Sequence, residues 1–274
     1  MMSSFKRMIK NIVPKAFWRP ASDLYWWWRN RGQHVAGAAI NPRRRKSVQA
    51  LAGFHNLHQG QRCFILGNGP SLRKTDLSLL EGEVTFGMNR IYLLFPEMGF
   101  STTYFVSINT LVLEQCAEDI RALEMPKFVT WRSRQWLSDD PGAIFLDTDY
   151  TPPATFSPDV RRRVFEGSTV TYVALQLAFH MGFDEVILIG VDHNFTTKGP
   201  ANETVISQGD DPNHFAPNYF GKGFRWQLPD LEASEQAYSL ARDAFQADGR
   251  RVLDATIDGK LTVFPKVAYR ELFS

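Results

Sequence analysis

Short apolar segments alternate with amphipathic segments through most of the chain after residue 60. The apolar segments have the length of buried strands, and VILIGV at residues 186–191 is apolar throughout. The pattern predicts strands at residues 63–66, 84–87, 104–107, 127–130, 143–146, 186–191 and 251–254. Apolar residues spaced three and four apart predict helices at residues 110–123, 168–181 and 231–247.

Alternating strands and helices are typical of βαβ units. The predicted fold class is therefore α/β, a Rossmann-like parallel sheet with helices on both faces and a small lid segment. We assign residues 1–59 to a basic, aromatic N-terminal arm with helical character. Residues 60–274 form the predicted nucleotide-binding or transferase domain. Its lid is placed at about residues 193–228, which follow a strand and are rich in Asn, Gly, Pro and aromatic residues.

Composition limits the classes of protein that fit. A chain of 274 residues can bury a sizeable core, and it contains no apolar stretch long enough to cross a bilayer. Cys63 and Cys116 each fall within an apolar pattern, which favours buried thiols in a reducing compartment. The first residues lack the pattern of a secretory signal peptide. We expect a cytoplasmic protein.

The charge is unevenly distributed, although the net charge is only +2. Residues 1–31 carry seven Lys or Arg against Asp23, and RRRK follows at residues 43–46, so the remainder of the chain has a net charge of −8. Aromatic residues, including WWW at 26–28, lie among these cations, a composition that suits an anionic membrane surface. Residues 1–46 are a predicted membrane contact; the alternative is that the tryptophans pack on the main domain.

Small and amide residues follow the first three predicted strands. GNGPSL at residues 67–72 follows the first, and its glycines permit positive φ or close backbone approach. We predict that Gly67, Asn68, Gly69 and Ser71 contact a nucleotide through this turn. The sequence differs from the Walker loop and from GxGxxG.

Asn89 and Asn109 follow the second and third strands as Asn68 follows the first. The carboxyl ends of parallel strands meet at one edge of a sheet, so we expect the three amides to lie close together. An amide donates and accepts hydrogen bonds, which suits ribose hydroxyls and base edges. Each asparagine alone is also a common turn residue.

Further candidates lie later in the chain. Ser168 and Thr169 precede the predicted helix at 168–181, whose N-terminus favours an anion. Asp192 follows the strand at 186–191, and both a catalytic role and a structural role in bonding loop amides remain open for it. His214 lies in a polar segment that we expect to be flexible, where it is a candidate general base.

Asp147 and Asp149 resemble the DxD motif that holds a divalent cation in many nucleotide-sugar transferases, but three letters are weak support for a metal site. No Cys/His pattern indicates zinc and no GxSxG indicates a hydrolase. The RRRK run is too short for a nucleic-acid groove, so we predict no nucleic-acid partner.

Several of these segments together resemble a known group. They are GNGPSL, MNRIYLLF, INTLVLEQ, GSTVTYVALQLAFHMGFDEVILIGVD, NHFAPNYFG and DATIDGKLTVFP. In order and spacing they are similar to the MptE-like group, named for 6-hydroxymethylpterin diphosphokinase, and to the bacterial sialyltransferases of glycosyltransferase family 42. The resemblance covers about residues 62–264 and implies a Rossmann-like domain that binds a cytidine nucleotide-sugar without an obligatory metal.

By position, the resemblance implies nucleotide contacts for Asn68, Asn89 and Asn109, and a polar contact for Thr169. The chain departs from the sialyltransferases at three positions. Gly167 stands where they have an arginine, Asn194 where they have a tyrosine, and Asn218 where they have the second lid histidine. His214 matches the first lid histidine.

The expected function is transfer of a nucleotide-activated sugar, such as CMP-sialic acid or another CMP-nonulosonate, to a glycan or lipid-linked acceptor in bacterial surface-glycan synthesis. The enzyme would act at the cytoplasmic side of the membrane. One alternative is an ATP-dependent diphosphokinase of the 6-hydroxymethylpterin type, which would use Mg²⁺. Another is a nucleotide-binding protein without catalysis.

Overall fold

The computed structural model describes residues 40–151 and 155–273. The chain divides into two compact units, Met1–Lys46 and Ser47–Ser274, and every described strand lies in the second unit. Residues 1–39, which include most of the predicted N-terminal arm, lie outside the described residues. Residues 47–59 pack within the second unit, where the carbonyl of Leu51 contacts His180 Nε2 at 2.9 Å.

Eight parallel strands form the main sheet, and two short antiparallel strands form a separate hairpin. In chain order the strands are β1 Arg62–Leu66, β2 Thr85–Met88, β3 Tyr104–Ser107, β4 Lys127–Thr130, β5 Ala143–Asp149, β6 Arg163–Phe165, β7 Glu185–Ile189, β8 Thr204–Ile206, β9 Arg225–Gln227 and β10 Arg251–Asp254. The order across the main sheet is β10-β7-β1-β2-β3-β4-β5-β6. The predicted α/β class with a parallel sheet is confirmed.

Helices cover both faces of the sheet. The α-helices are α1 Pro42–Phe54, α2 Phe95–Met98, α3 Thr110–Gln115, α4 Ala117–Arg121, α5 Val170–His180 and α6 Leu231–Ala247. Short 3₁₀ helices occur at Pro70–Lys74, Leu77–Leu80, Ile91–Leu94, Trp131–Gln135 and Tyr269–Phe273. Within the described residues, no helix is both long enough and apolar enough to cross a membrane.

The alternating side chains of the strands create two apolar layers. In β1, Cys63 and Ile65 join the layer beneath α5 and α6, whereas Phe64 and Leu66 join the layer beneath α3 and α4. All four side chains are fully buried. Burial on both faces explains why β1 is apolar at every position after Arg62.

The predicted elements agree with the structure except in a few places. The helix predicted at 110–123 is interrupted at Cys116, which has φ −118° and ψ 22° and separates α3 from α4. Strand β6 was not predicted, because RVF is too short to give a periodic pattern. The helix predicted at 231–247 matches α6.

The segment carrying His214 is not the flexible polar loop that the sequence suggested. It contains the β8–β9 hairpin and packs its own aromatic side chains into the layer beneath α3 and α4. Phe215, Tyr219, Phe220 and Trp226 are each at most 8% exposed. Burial of several aromatic rings supplies the driving force that holds such a segment in place.

The chain direction across the sheet reverses between β1 and β7. From β1 the strands proceed to β6 on one side, and the chain then returns to place β7 and β10 on the other side. The loops after β1 and β7 therefore start side by side. In open α/β sheets, this switch point is where the ligand crevice forms.

Two glycines after β1 let these loops approach closely. Gly67 N donates to Ile189 O at 2.7 Å and Gly69 N donates to Gly190 O at 2.9 Å. A Cβ atom on Gly67 would overlap the carbonyl oxygen of Gly190, and one on Gly69 would overlap the carboxylate of Asp192. The expected close approach is confirmed, and it is made to the protein's own backbone. A positive φ is not the reason, because Gly69 has φ −71°.

We expect Gly67→Ala to destabilise the fold by about 3 kcal/mol, because the new methyl group meets backbone that cannot rotate away. Gly53→Ala is the control, since no atom lies within 4 Å of a Cβ at Gly53 in helix α1. That substitution should stabilise the fold by about 0.5–1 kcal/mol. Urea unfolding of both variants measures the difference, and equal stability would contradict the proposed steric role of Gly67.

Candidate functional site

A cavity of about 1110 Å³ opens at the carboxyl ends of the strands, beside the switch point. It is bounded by the loops after β1, β2, β3 and β7, by the start of α5, by part of α6 and by the lid. The predicted site residues that line it are Gly67, Asn68, Gly69, Asn89, Asn109, Ser168, Thr169, Asp192 and His214. Ser71 is a predicted site residue that does not line it.

Asn68 lines this cavity and has a side-chain oxygen without a hydrogen-bond partner among the described residues. This oxygen, Oδ1, is buried. Its backbone carbonyl accepts a hydrogen bond from Phe215 N at 2.9 Å, so the loop after β1 is joined to the lid. A buried acceptor without a partner costs free energy, which a bound donor group would recover.

The other two asparagines have their side-chain oxygens fixed by the protein. Asn89 Oδ1 accepts from Ser107 Oγ at 2.9 Å, and Asn109 Oδ1 caps α3 by accepting from Leu111 N at 2.9 Å. Asn89 also adopts the left-handed conformation with φ 52°, which asparagine tolerates better than most residues. With their oxygens engaged, both side chains retain Nδ2 donors beside the cavity.

The N-terminus of α5 forms another wall. Thr169 is the N-cap, its Oγ1 accepting from Thr171 N at 3.3 Å and lying 3.2 Å from the hydroxyl of Tyr238. Ser168 precedes it with φ 59°. Gly167 has φ 53°, and a Cβ there would lie 2.5 Å from Tyr172 and 2.6 Å from Ala237. A larger residue at Gly167 would require Tyr172 or Ala237 to shift.

Arg132 brings a cation to the cavity that we did not predict. It follows β4, lies 5.3 Å from the ring centroid of Tyr150 and forms an ion pair with Glu166. The strand-end argument used for the asparagines would have found it, because Trp131 and Arg132 directly follow the predicted strand at 127–130.

Asp192 is hydrogen-bonded by both of its carboxylate oxygens. Ser71 N donates to Oδ1 at 3.1 Å and Ser71 Oγ donates to Oδ2 at 2.6 Å. Burial raises the pKa of the Asp192 carboxyl, although the hydrogen bonds from Ser71 act in the opposite direction. Asp192 thus orders the start of the 3₁₀ helix Pro70–Lys74. Ser71 does not line the cavity itself but holds the carboxylate of Asp192, which does.

His214 has its ring fixed on one edge and one face. Nδ1 lies 2.8 Å from Asp211 Oδ2, and the ring stacks on Tyr219 with centroids 4.1 Å apart and an interplanar angle of 4°. A second histidine, His193, also lines the cavity and lies 2.8 Å through Nε2 from Glu235. The cavity therefore holds two imidazoles, each paired with a carboxylate.

The candidate metal ligands Asp147 and Asp149 both lie in β5 and are nearly buried. Asp149 lines the cavity, but its carboxylate pairs with Arg163 at 3.1 Å and accepts from Thr151 N at 2.9 Å. Within residues 40–151 and 155–273, no group of three or more His, Cys, Asp or Glu side chains has a metal-binding arrangement.

The fold and the cavity define an open-sheet α/β protein with a polar crevice at its switch point. The chain belongs to the MptE-like family, since the model described as 6-hydroxymethylpterin diphosphokinase MptE-like matches residues 41–198. Among solved structures, the MAf glycosyltransferase from Magnetospirillum magneticum AMB-1 is similar at 16% sequence identity with a TM-score of 0.47. That match covers 83% of this chain and 38% of the other. No curated protein sequence matches the chain.

We expect Asp192→Ala to destabilise the fold by about 1–3 kcal/mol, because the buried N–H and hydroxyl of Ser71 lose their acceptor. Asp192→Asn retains an acceptor oxygen, so its loss of stability should be clearly smaller than that of Asp192→Ala. Denaturant unfolding measures both variants. If Asp192→Ala were as stable as the parent chain, the structural role would be refuted; if Asp192→Asn were stable but without turnover, the carboxylate would have a chemical role.

Proposed function

We propose that this protein is a glycosyltransferase that uses a nucleotide-activated sugar, with a CMP-linked nonulosonate such as CMP-sialic acid as the favoured donor. Its product would enter a bacterial surface glycan. The observation that carries the proposal is the meeting of Asn68, Asn89 and Asn109 at one cavity beside the switch point. Three amide side chains at the ends of adjacent strands suit the hydroxyls and base edges of a nucleoside.

The three asparagines would contact the nucleoside in two ways, as hydrogen-bond donors and as an acceptor. The Nδ2 groups of Asn89 and Asn109 donate to acceptor atoms of the base or ribose, since their oxygens are engaged within the protein. Asn68 lines the same cavity, and a rotation of its side chain would let the unpartnered, buried Oδ1 accept from a ribose hydroxyl or an exocyclic amine. This combination of donors and an acceptor favours a neutral, hydrogen-bonding nucleoside.

The phosphate of the donor has two sources of stabilisation in the same cavity. The first is the N-terminus of α5, where the backbone amides and the hydroxyls of Ser168 and Thr169 favour negative charge. The second is the guanidinium of Arg132. Together they stabilise a departing nucleotide phosphate without an obligatory metal, which accords with the engagement of Asp149 by Arg163.

His214 would remove the proton from a hydroxyl of the glycan or lipid-linked acceptor. The acceptor oxygen then forms a bond to the anomeric carbon, and the bond from that carbon to the phosphate oxygen breaks with its electron pair on the nucleotide. Positioning and electrostatic stabilisation supply most of the rate enhancement. A single general base contributes about 10²–10⁴-fold.

A diphosphokinase that uses ATP is the second candidate, because the matching family model carries the name of 6-hydroxymethylpterin diphosphokinase. Diphosphate transfer requires Mg²⁺ held by carboxylates beside the phosphates. Asp149 and Asp192 line the cavity, but each already has partners within the protein. Because these carboxylates are engaged within the protein, the cavity favours the glycosyltransferase over a Mg²⁺-dependent diphosphokinase. A nucleotide-binding protein without catalysis is the third candidate.

Thermal shift measurements with CMP, UDP, GDP and ATP, each with and without Mg²⁺, test the proposal. We expect CMP to raise the melting temperature without a metal, since a ligand at 100 times its Kd stabilises the folded state by about 2.7 kcal/mol. Preference for ATP with Mg²⁺ would favour the diphosphokinase. Binding of CMP without turnover of any CMP-sugar would favour the third candidate.

Asn89→Asp is the sharpest variant for this measurement. The carboxylate can still accept from Ser107, but the Nδ2 donor is lost and a negative charge is added, so CMP should bind about tenfold or more weakly. Asn56→Asp is the matched control: Asn56 is exposed, has φ 56° close to the 52° of Asn89, and lies outside the cavity lining. Equal weakening in both variants would contradict a direct contact.

We also propose that the basic, aromatic residues 1–46 hold the protein at the inner surface of the membrane. The proposal rests on the cations and the WWW run in the sequence. Vesicles containing phosphatidylserine should co-sediment the full chain at low salt, and removal of residues 1–39 should weaken that association. Vesicles of phosphatidylcholine alone are the control. Undiminished binding after the truncation would refute the proposal.

A further inference from the structure

We propose that Asp211 is a positioning residue that selects the tautomer of His214 and so makes its Nε2 the proton acceptor in the cavity. The inference rests on the proposed function for the identity of the reaction, but the geometry is independent of the substrate. It assigns a role to a carboxylate that the sequence analysis did not single out.

The Asp211 carboxylate is held from two directions. Its Oδ1 accepts from Asn213 N at 3.0 Å, and its Oδ2 lies 2.8 Å from His214 Nδ1. Its own backbone N–H donates to Pro217 O at 2.9 Å, which closes the loop around the histidine. The side chain is only 4% exposed, so water competes little for the carboxylate.

The imidazole is fixed in its plane as well as along its edge. Tyr219 stacks on one face, and the edge of Phe220 approaches with ring centroids 4.9 Å apart. Arg90, which follows Asn89, secures Tyr219: its N–H donates to the Tyr219 hydroxyl at 3.1 Å and its guanidinium donates to the Tyr219 carbonyl. Among the described residues, Asp211 and Tyr219 are titratable groups in contact with the ring, and Arg90 is a cation in contact with Tyr219.

This arrangement has a chemical consequence. An ionised carboxylate is only an acceptor, so the atom facing Asp211 must be Nδ1–H. Nε2 then carries the lone pair, and His214 is a residue that lines the cavity. When Nε2 takes the proton from an acceptor hydroxyl, the carboxylate stabilises the imidazolium that forms. His214 and Asp211 together therefore suffice as a general base in the lid, although Asn218 stands where the sialyltransferases that the chain resembles have a second histidine.

Asp211→Asn should reverse the tautomer. Asn213 N still requires an acceptor at Oδ1, which directs the new Nδ2 donor toward His214 Nδ1 and forces that nitrogen to be unprotonated. The proton then moves to Nε2, where it blocks proton abstraction. Packing of the ring against Tyr219 does not depend on the carboxylate, so the fold should persist.

The experiment is ¹⁵N NMR of the histidine side chains in the full chain, assigned with His214→Ala, together with kinetics on a CMP-sugar. We expect Nδ1–H at His214 in the parent protein and Nε2–H in Asp211→Asn. We also expect kcat to fall by about 10²-fold or more with little change in the donor KM. Glu235→Gln is the matched control, because it alters the other His–carboxylate pair in the cavity and should leave both quantities unchanged.

Nε2–H at His214 in the parent protein, or unchanged kcat in Asp211→Asn, would overturn the inference. A loss of kcat in Glu235→Gln that equals the loss in Asp211→Asn would assign the base to His193 and would also overturn it. If no CMP-sugar is turned over, the proposed function fails, and the tautomer in the parent and in Asp211→Asn still decides whether Asp211 positions His214.

Discussion

The loops after β1 and β7 run directly against each other, and the crevice depends on this contact. Gly67 and Gly69 hydrogen-bond to Ile189 and Gly190 with no space for a side chain between the two backbones. The chain reverses its direction across the sheet at this point, so the two loops start side by side next to the cavity. A larger residue at either glycine would separate the strand ends and change the position of Asn68.

The same loops hold the lid. Asn68 accepts from the backbone of Phe215 and Arg90 bonds to Tyr219, so the part of the lid just after His214 contacts the loops after β1 and β2. The lid residues that make these contacts, Phe215 and Tyr219, are buried. His214, the proposed base, is therefore positioned by the same strand ends that are proposed to hold the nucleoside. Binding and proton transfer would be coupled through this shared framework.

The cavity combines groups with distinct tasks. Arg132, paired with Glu166, and the start of α5 form one part of the wall, and the three asparagines also line it. Asp192 maintains the shape of the loop after β1 through Ser71. Separate positioning of charge and of hydrogen bonds is what a nucleotide with one neutral and one anionic end requires.

Much of the fold follows from the sequence because strand and helix periods are local properties. The seven predicted strands and the helix at 231–247 are present, whereas the short strand β6 and the break at Cys116 depend on packing that periodicity does not encode. The asparagine cluster was predictable because parallel strands align their carboxyl ends at one edge.

Other parts of the site were decided only by tertiary structure. The pairing of Asp192 with Ser71 joins residues 121 positions apart, and Arg132 meets Glu166 across a different loop. Asp211 is close to His214 in sequence, yet the stack on Tyr219 that makes the pair rigid exists only in the folded lid. The sequence by itself determined the strands and the polar residues at their ends, because both depend on local pattern. Tertiary packing decided which of those polar groups pair with each other and which face the cavity, because hydrogen bonds between distant segments form only when burial brings the segments together.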